Sequence, residues 1–311
     1  MVITTINPYG KIFNPDGRIA AIQRESFYEY GDAFKLWNKF VILMNQSRTK
    51  TKIKGLLFTG PPDSGKSTLV QQFDFEYVQN VPGAQEGDVV IFNVPQGVGA
   101  VQLFAQLCRE LGIPDIPRNP RNDPITYYVM KAAAKLRQDH RLLMVDELQN
   151  LSEISGPLRK KIISAFNQLI NASRIPIVLV GLTGVDALLR DIEDDQSNLR
   201  GTFSSRFPKF SLSRWQDTEE FQGLLVTVEP DLHLCPSEPV PPFYEDDQVR
   251  EFILNASRGL LGRIVTLLKE TAMKIILEGL PEVITLPLLE ETARELAYFP
   301  RNPNEDAQEF E

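Results

Sequence analysis

No apolar run in this 311-residue chain approaches the length of about eighteen residues that crosses a bilayer. No basic stretch leads into an apolar segment at its start. A membrane-spanning or secreted protein is therefore not expected, and a soluble cytoplasmic one without a membrane partner is. Cysteine is scarce. Cys108 and Cys235 lack metal-ligand spacing and are too few to staple such a length, which suits a reducing compartment. Positive charge is in deficit, with a net charge of −8, so the surface as a whole does not attract polyanions. The deficit is uneven, however. Residues 1–54 carry nine Lys or Arg against four Asp or Glu, and an acidic protein with one basic face still binds DNA. There is no internal repeat.

What the chain does have is apolar residues, at 42%, enough for one large core or two unequal ones. Short apolar runs precede "GPPDSGKST" and recur at 88–94, 141–148 and 175–182. They do not alternate with polar residues, as is usual for strands buried on both faces. Helical patterns lie between them at 100–112, 124–139 and 157–173, and a short strand at 208–212 closes the series. This alternation predicts an α/β fold with a parallel five-stranded sheet between helices.

Composition then shifts. A helix is predicted over 216–228, and five prolines in 229–242 forbid regular structure there. Helices resume over 246–257, 260–279 and 287–298, with Thr285 as a cap. The expected organisation is a lead-in with a helix from about Glu25 to Met44 (1–45), an α/β nucleotide-binding core (46–214), a small all-helical lid (215–298) and a disordered acidic tail (299–311).

"GLLFTGPPDSGKSTLV" (55–70) is a strand, a G-x-x-x-x-G-K-[ST] loop and a helix start. Gly60, Pro61, Pro62, Asp63, Ser64 and Gly65 form a loop whose backbone N–H groups face a nucleotide's phosphates. Lys66 adds charge, Ser67 a metal-binding hydroxyl, and Thr68 completes the motif at the positive end of a helix. ATP with Mg²⁺ is the expected cofactor. "LLMVDELQNL" ends a buried strand in two acids: Asp146 to orient a metal-bound water, Glu147 to activate the attacking one. Taken alone, two acids also suit a solvated helix N-terminus. Thr183, ending "IPIVLVGLTG", either polarises the attacking water or caps the helix after it. Arg206, between a helix and a strand in "SSRFPKF", is placed to reach a neighbour's γ-phosphate as an arginine finger, with Arg200 in reserve; a surface salt bridge is the alternative. Arg263 in "SRGLLGRIVTLLKE" opens a helix after two glycines, where it either folds over the nucleotide or faces solvent.

The order of these elements resembles the AAA+ ATPases over nearly the whole chain. "LLMVDELQNL", "PIVLVGLTGVDALL" with "SSRFPKFSL", and "GLLGRIVTLLKE" narrow the resemblance to the TnsC/TniB group of transposition regulators. That resemblance implies an ATPase assembling as homo-oligomeric rings or filaments on double-stranded DNA. It also implies a link between a transposase and a TniQ-like target-selection protein. Two positions depart from the pattern. Asp63 stands where glycine is usual. "VPQGVGAVQ" (94–102) lacks the lysine with which relatives track DNA. Candidate DNA contacts are therefore Arg118 and Arg121, then Lys131 and Lys135, with the backbone N–H groups of Gly97 and Gly99. A solvated loop is the competing reading of that region. Replication-initiation or clamp-loading ATPases, and a scaffolding ATPase that does not touch nucleic acid, are the rival functions.

Overall fold

A computed structural model describes residues 17–46, 48–49, 52–114, 123–185 and 205–298. The chain divides into two compact units, one of residues 32–213 and one formed by the two ends, 1–31 and 214–311. The predicted 1–45 lead-in is thus shared between them.

The 32–213 unit holds five strands: β1 (Leu56–Gly60), β2 (Val89–Asn93), β3 (Leu142–Asp146), β4 (Ile177–Leu182) and β5 (Lys209–Ser211). They form one sheet in the order β2-β3-β4-β1-β5, with every pairing parallel. The pattern of apolar residues follows from this order. β1 and β3 are buried at every residue and β4 at all but its last, whereas the edge strands β2 and β5 expose part of their length. Helices α2 (Gly31–Met44), α3 (Lys66–Asn80), α4 (Ala100–Glu110), α5 (Pro124–Asp139) and α6 (Gly156–Ser173) accompany the sheet. The core between α4, α5, α6 and the sheet includes Leu103, Phe104, Val129, Phe166 and Leu179. Asp123 caps α5, accepting from the Thr126 N–H with Pro124 in the first turn.

The helix predicted from Glu25 begins later, at Gly31, and a separate short helix α1 spans Arg18–Ile22. Of the residues between, Tyr28 joins the other unit's core. Tyr28 is buried with its hydroxyl donating to Asp231 at 3.0 Å, and Tyr30 meets Trp215 edge-on at 5.3 Å. Burying these rings on a non-helical segment outweighs the local helical pattern.

That second unit contains α1, α7 (Glu219–Val228), α8 (Asp247–Ser257), α9 (Leu261–Glu278) and α10 (Leu286–Glu295). Its core combines Ile22 from the N-terminal end with Phe221, Leu225, Ile253, Leu267, Leu268 and Leu289. Thr218 and Asp246 cap α7 and α8 through their side chains, while Thr285 precedes α10 without a side-chain cap bond. Within the proline-rich stretch a single 3₁₀ turn forms at Glu229–Leu232. Prolines still allow such a turn, because Pro230 sits in its first turn, where no N–H is needed. The predicted acidic tail lies outside the described residues. Among the described residues no helix is long and apolar enough to cross a membrane.

Candidate functional site

Parallel strands all end at one edge, and their register decides what meets there. Gly60 ends β1 opposite Leu182 at the end of β4, and Asn93 ends β2 opposite Asp146 at the end of β3. The loop 61–65, the acids 146–147 and Thr183 therefore share the sheet's carboxyl edge. The contacts between them are direct. The Thr183 N–H donates to Gly60 O at 3.0 Å, and Ser67 Oγ donates to Asp146 Oδ2 at 2.6 Å.

The loop is shaped for an anion. Gly65 (φ 82) turns the chain into α3, whose free N–H groups and dipole point back toward the loop. At Gly60 a Cβ would stand 2.8 Å from Ser64 Oγ and 3.1 Å from Leu212 Cβ, so only glycine fits that close approach. Ser64 Oγ is buried without a hydrogen-bond partner, which leaves an orphaned polar atom inside the cradle. Lys66 is buried, with Nζ donating to Pro61 O at 2.6 Å. Burial pushes its ammonium below the usual lysine value, against the opposing pull of Asp146, Glu147 and Asp63. An orphaned hydroxyl, a desolvated ammonium and a helix N-terminus together fit a nucleotide's phosphates. Pro62, Asp63 and Thr68 are exposed around this cradle. Asp63 has φ 54, the left-handed conformation that explains why glycine suits the position and which Asp tolerates better than most residues.

The acids are held differently. Asp146 is buried and uses both oxygens, one for Ser67 and one for the Glu147 N–H at 2.7 Å. Glu147 is half-buried in the left-handed region (φ 61) and begins a 3₁₀ turn rather than an α-helix, so it does not sit at an ordinary solvated helix N-terminus. Its Oε2 accepts from Gln149 Nε2. Among the described residues no three metal-ligating side chains cluster. The oxygens of Ser67 and Asp146 are the donors that would hold Mg²⁺, an ion that keeps most of its water and takes few protein ligands.

The arginines lie elsewhere. Arg206 ends a helix, and its carbonyl accepts from Gly55 N at 2.9 Å at the amino edge of the sheet. Its Nη1 stands 3.4 Å from Asn167 O and Oδ1. The five residues of β1 separate that edge from the loop, roughly 16 Å of extended chain. Arg263 belongs to the helical unit, in the first turn of α9, with its guanidinium 5.2 Å from the Tyr298 ring centre. Arg118, Arg121 and Arg200 lie outside the described residues. Of the remaining basic candidates, Lys131 stands 5.9 Å over the Tyr127 ring and Lys135 pairs with Asp139 at 2.7 Å. The Gly99 N–H donates to Gln102 Oε1 at 3.1 Å, within the first turn of α4.

Two residues the sequence reading passed over stand out. Gln149 and Asn150 follow the acids directly, and Asn150 Nδ2 donates to Val94 O at 2.7 Å. Amide side chains immediately after a strand-ending acid pair were the available signal.

No curated protein matches the sequence. Several solved structures resemble the fold. The Aeropyrum pernix ORC1 protein in complex with DNA matches at TM-score 0.58 and 11% identity, over 89% of this chain and 69% of that one. The Aeropyrum pernix ORC2 protein, in ADPNP–ADP complexes, matches at 0.59 and 15%, over 90% and 72%. The Thermotoga maritima RuvB Holliday junction branch migration motor matches at 0.50 and 19%, over 89% and 73%. At such identities the likeness speaks to the fold alone, which is that of the AAA+ proteins. The family described as bacterial TniB protein matches residues 18–217, well over half the chain, and the protein belongs to that family.

Proposed function

We propose that this chain is a Mg²⁺-dependent ATPase that assembles on double-stranded DNA, each subunit completing its neighbour's nucleotide site. The observation that carries the reading is the separation of Arg206 from its own phosphate loop by the full height of the sheet. Bound Mg·ATP supplies the phosphoanhydride to be cleaved. The loop N–H groups, Ser64 and Lys66 would hold its phosphates, and Ser67 and Asp146 would hold the metal. Glu147 takes the proton of the attacking water, which Thr183 polarises. Nucleotide binding then acts as the assembly signal, and hydrolysis loosens the interface.

Lys66 bears most directly on the first step. Lys66→Ala is expected to weaken ATP binding roughly 10²-fold or more, since a charge-assisted contact to phosphate disappears. Titration with a fluorescent ATP analogue measures this. Normal oligomers of the variant on DNA at saturating ATP would sink the assembly-signal role.

Membership of the TniB family supports a transposition regulator, linking a transposase to a target-selection protein. A second reading, a replication-initiation or clamp-loading ATPase, is supported by the fold likeness to the Aeropyrum pernix ORC1 protein. Gel shifts with random duplex DNA and a nonhydrolysable ATP analogue separate both from a scaffolding ATPase, which gives no shift. A transposition regulator reading only phosphates should lose affinity steeply with salt while varying little with sequence. Marked preference for one sequence favours the initiator reading. Neutralising Arg118 and Arg121 together is expected to reduce the salt slope by about two. An unchanged slope moves the contacts, and the basic segment 48–54 is tested next.

A further inference from the structure

The residues after Asp146-Glu147 form one 3₁₀ turn, Leu148–Glu153, and that turn is tied to the strands on both sides. Asn150 holds it to the end of β2 through Val94 O. Gln149 reaches the opposite way. Its Nε2 donates to Glu147 Oε2, and its Oε1 accepts from the Leu182 N–H at 3.3 Å. Leu182 is the last residue of β4, and the next N–H, that of Thr183, is fixed on Gly60 O. A single side-chain amide therefore joins the Glu147 carboxylate to the strand end that carries the Thr183 hydroxyl. Gly181 packs closely beside this crossing. A Cβ there would stand 3.0 Å from Val185 Cγ2, 3.2 Å from Leu148 Cβ and 3.5 Å from Gln149 Oε1.

We propose that Gln149 is the positioning residue for Glu147, its amide fixing the carboxylate and tying it to the β4 end at Thr183. This rests on the reading of Glu147 as general base. Physically, a glutamate side chain rotates about three bonds, and Glu147 lies between the end of β3 and the 3₁₀ turn rather than within either. An amide anchored at its oxygen to a rigid strand end leaves its N–H₂ aimed in one direction. The carboxylate that accepts from it inherits that direction. Lys66 and Asp146 also face this carboxylate, but Lys66 is engaged with Pro61 O and Asp146 with Ser67 and the backbone. Gln149 is thus the side chain that orients the Glu147 carboxylate by hydrogen bonding among the described residues.

Two arms test the proposal. Without nucleotide, the side-chain amide resonance of Gln149 is followed by ¹⁵N NMR and assigned by its loss in Gln149→Met. It should exchange with solvent more slowly than exposed glutamines, move in Glu147→Ala, and report on Leu182, whose backbone resonance should move in Gln149→Met. A solvent-like resonance indifferent to Glu147→Ala overturns the clamp. In the second arm, Gln149→Met should lower kcat roughly 10-fold to 10²-fold with KM for ATP within about two-fold. Gln149→Glu keeps the acceptor toward Leu182 but sets a second carboxylate against Glu147, and should lose at least as much. Wild-type kcat in both variants, or a loss carried entirely by KM, overturns the positioning role. Wild-type turnover in Glu147→Gln overturns the base reading instead. The nucleotide-free arm tells that failure apart from a missing clamp.

Discussion

An Arg206→Ala subunit is expected to bind ATP and to hydrolyse it roughly 10³–10⁵ times more slowly, the range an arginine finger contributes in phosphoryl transfer. The expectation comes from placement. Arg206 is anchored at the amino edge of the sheet by its carbonyl bond from Gly55 N, and its guanidinium rests 3.4 Å from Asn167 O and Oδ1. Burial pulls its guanidinium below the usual arginine value, but arginine stays charged in proteins, so the group remains a cation for any anion brought to it. Its own phosphate loop is at the other edge, so on the proposed reading the anion comes from a second copy. Cooperative assembly should weaken with the same substitution, because a charge-assisted contact across the interface is lost. Mixing variants gives the decisive measurement. Lys66→Ala subunits keep Arg206, and Arg206→Ala subunits keep the loop, so co-assembled mixtures should regain part of the phosphate release that each lacks alone. Co-assembly without any recovery would assign the finger elsewhere, to Arg200 first.

Glu147→Gln should give the opposite phenotype, tight binding without turnover. The amide keeps the shape of the side chain but cannot take a proton from water, and loss of a general base costs roughly 10²–10⁴ in rate. Gly60, Ser64 and Lys66 are all retained, so ATP affinity should stay near wild type. Oligomers on DNA should then persist after excess ATP is removed. Phosphate release and sedimentation on DNA read the two halves. Hydrolysis at the wild-type rate would remove Glu147 from the role of base.

The sheet was legible because its signal is local and strong. β1, β3 and β4 are central, buried on both faces, and therefore written as unbroken apolar runs. The helices from Ala100 onward were likewise readable from their periodicity, to within three residues at their ends. The start of α2 was not, because Tyr28 and Tyr30 are claimed by distant partners, Asp231 and Trp215, that no local pattern records. At the site, the residue types of the loop and of Asp146-Glu147 announce phosphate chemistry by spacing alone. What spacing does not record is side-chain direction. The left-handed backbone of Glu147 and the two-ended grip of Gln149 depend on where β4 stops relative to β3, a matter of register across the sheet. The bond from the Gly99 N–H to Gln102 was missed for a similar reason, since Gln102 folds back on it within a single turn.

The helical unit is assembled from the two ends of the chain, with Ile22 and Tyr28 packed among residues that come after position 214. On a ribosome those ends are made far apart in time. At typical elongation speeds the segment 32–213 occupies roughly 10–40 s of synthesis. Throughout that interval the emerging N-terminal stretch carries apolar side chains whose partners do not yet exist. The sheet closes late for a related reason, because β1 waits for β4 and β5 while β2 and β3 come between. Such long-range pairing slows folding and prolongs exposure of sticky surface. For this architecture, the order of synthesis leaves Ile22 and Tyr28 without their packing partners until the segment after position 214 has been made.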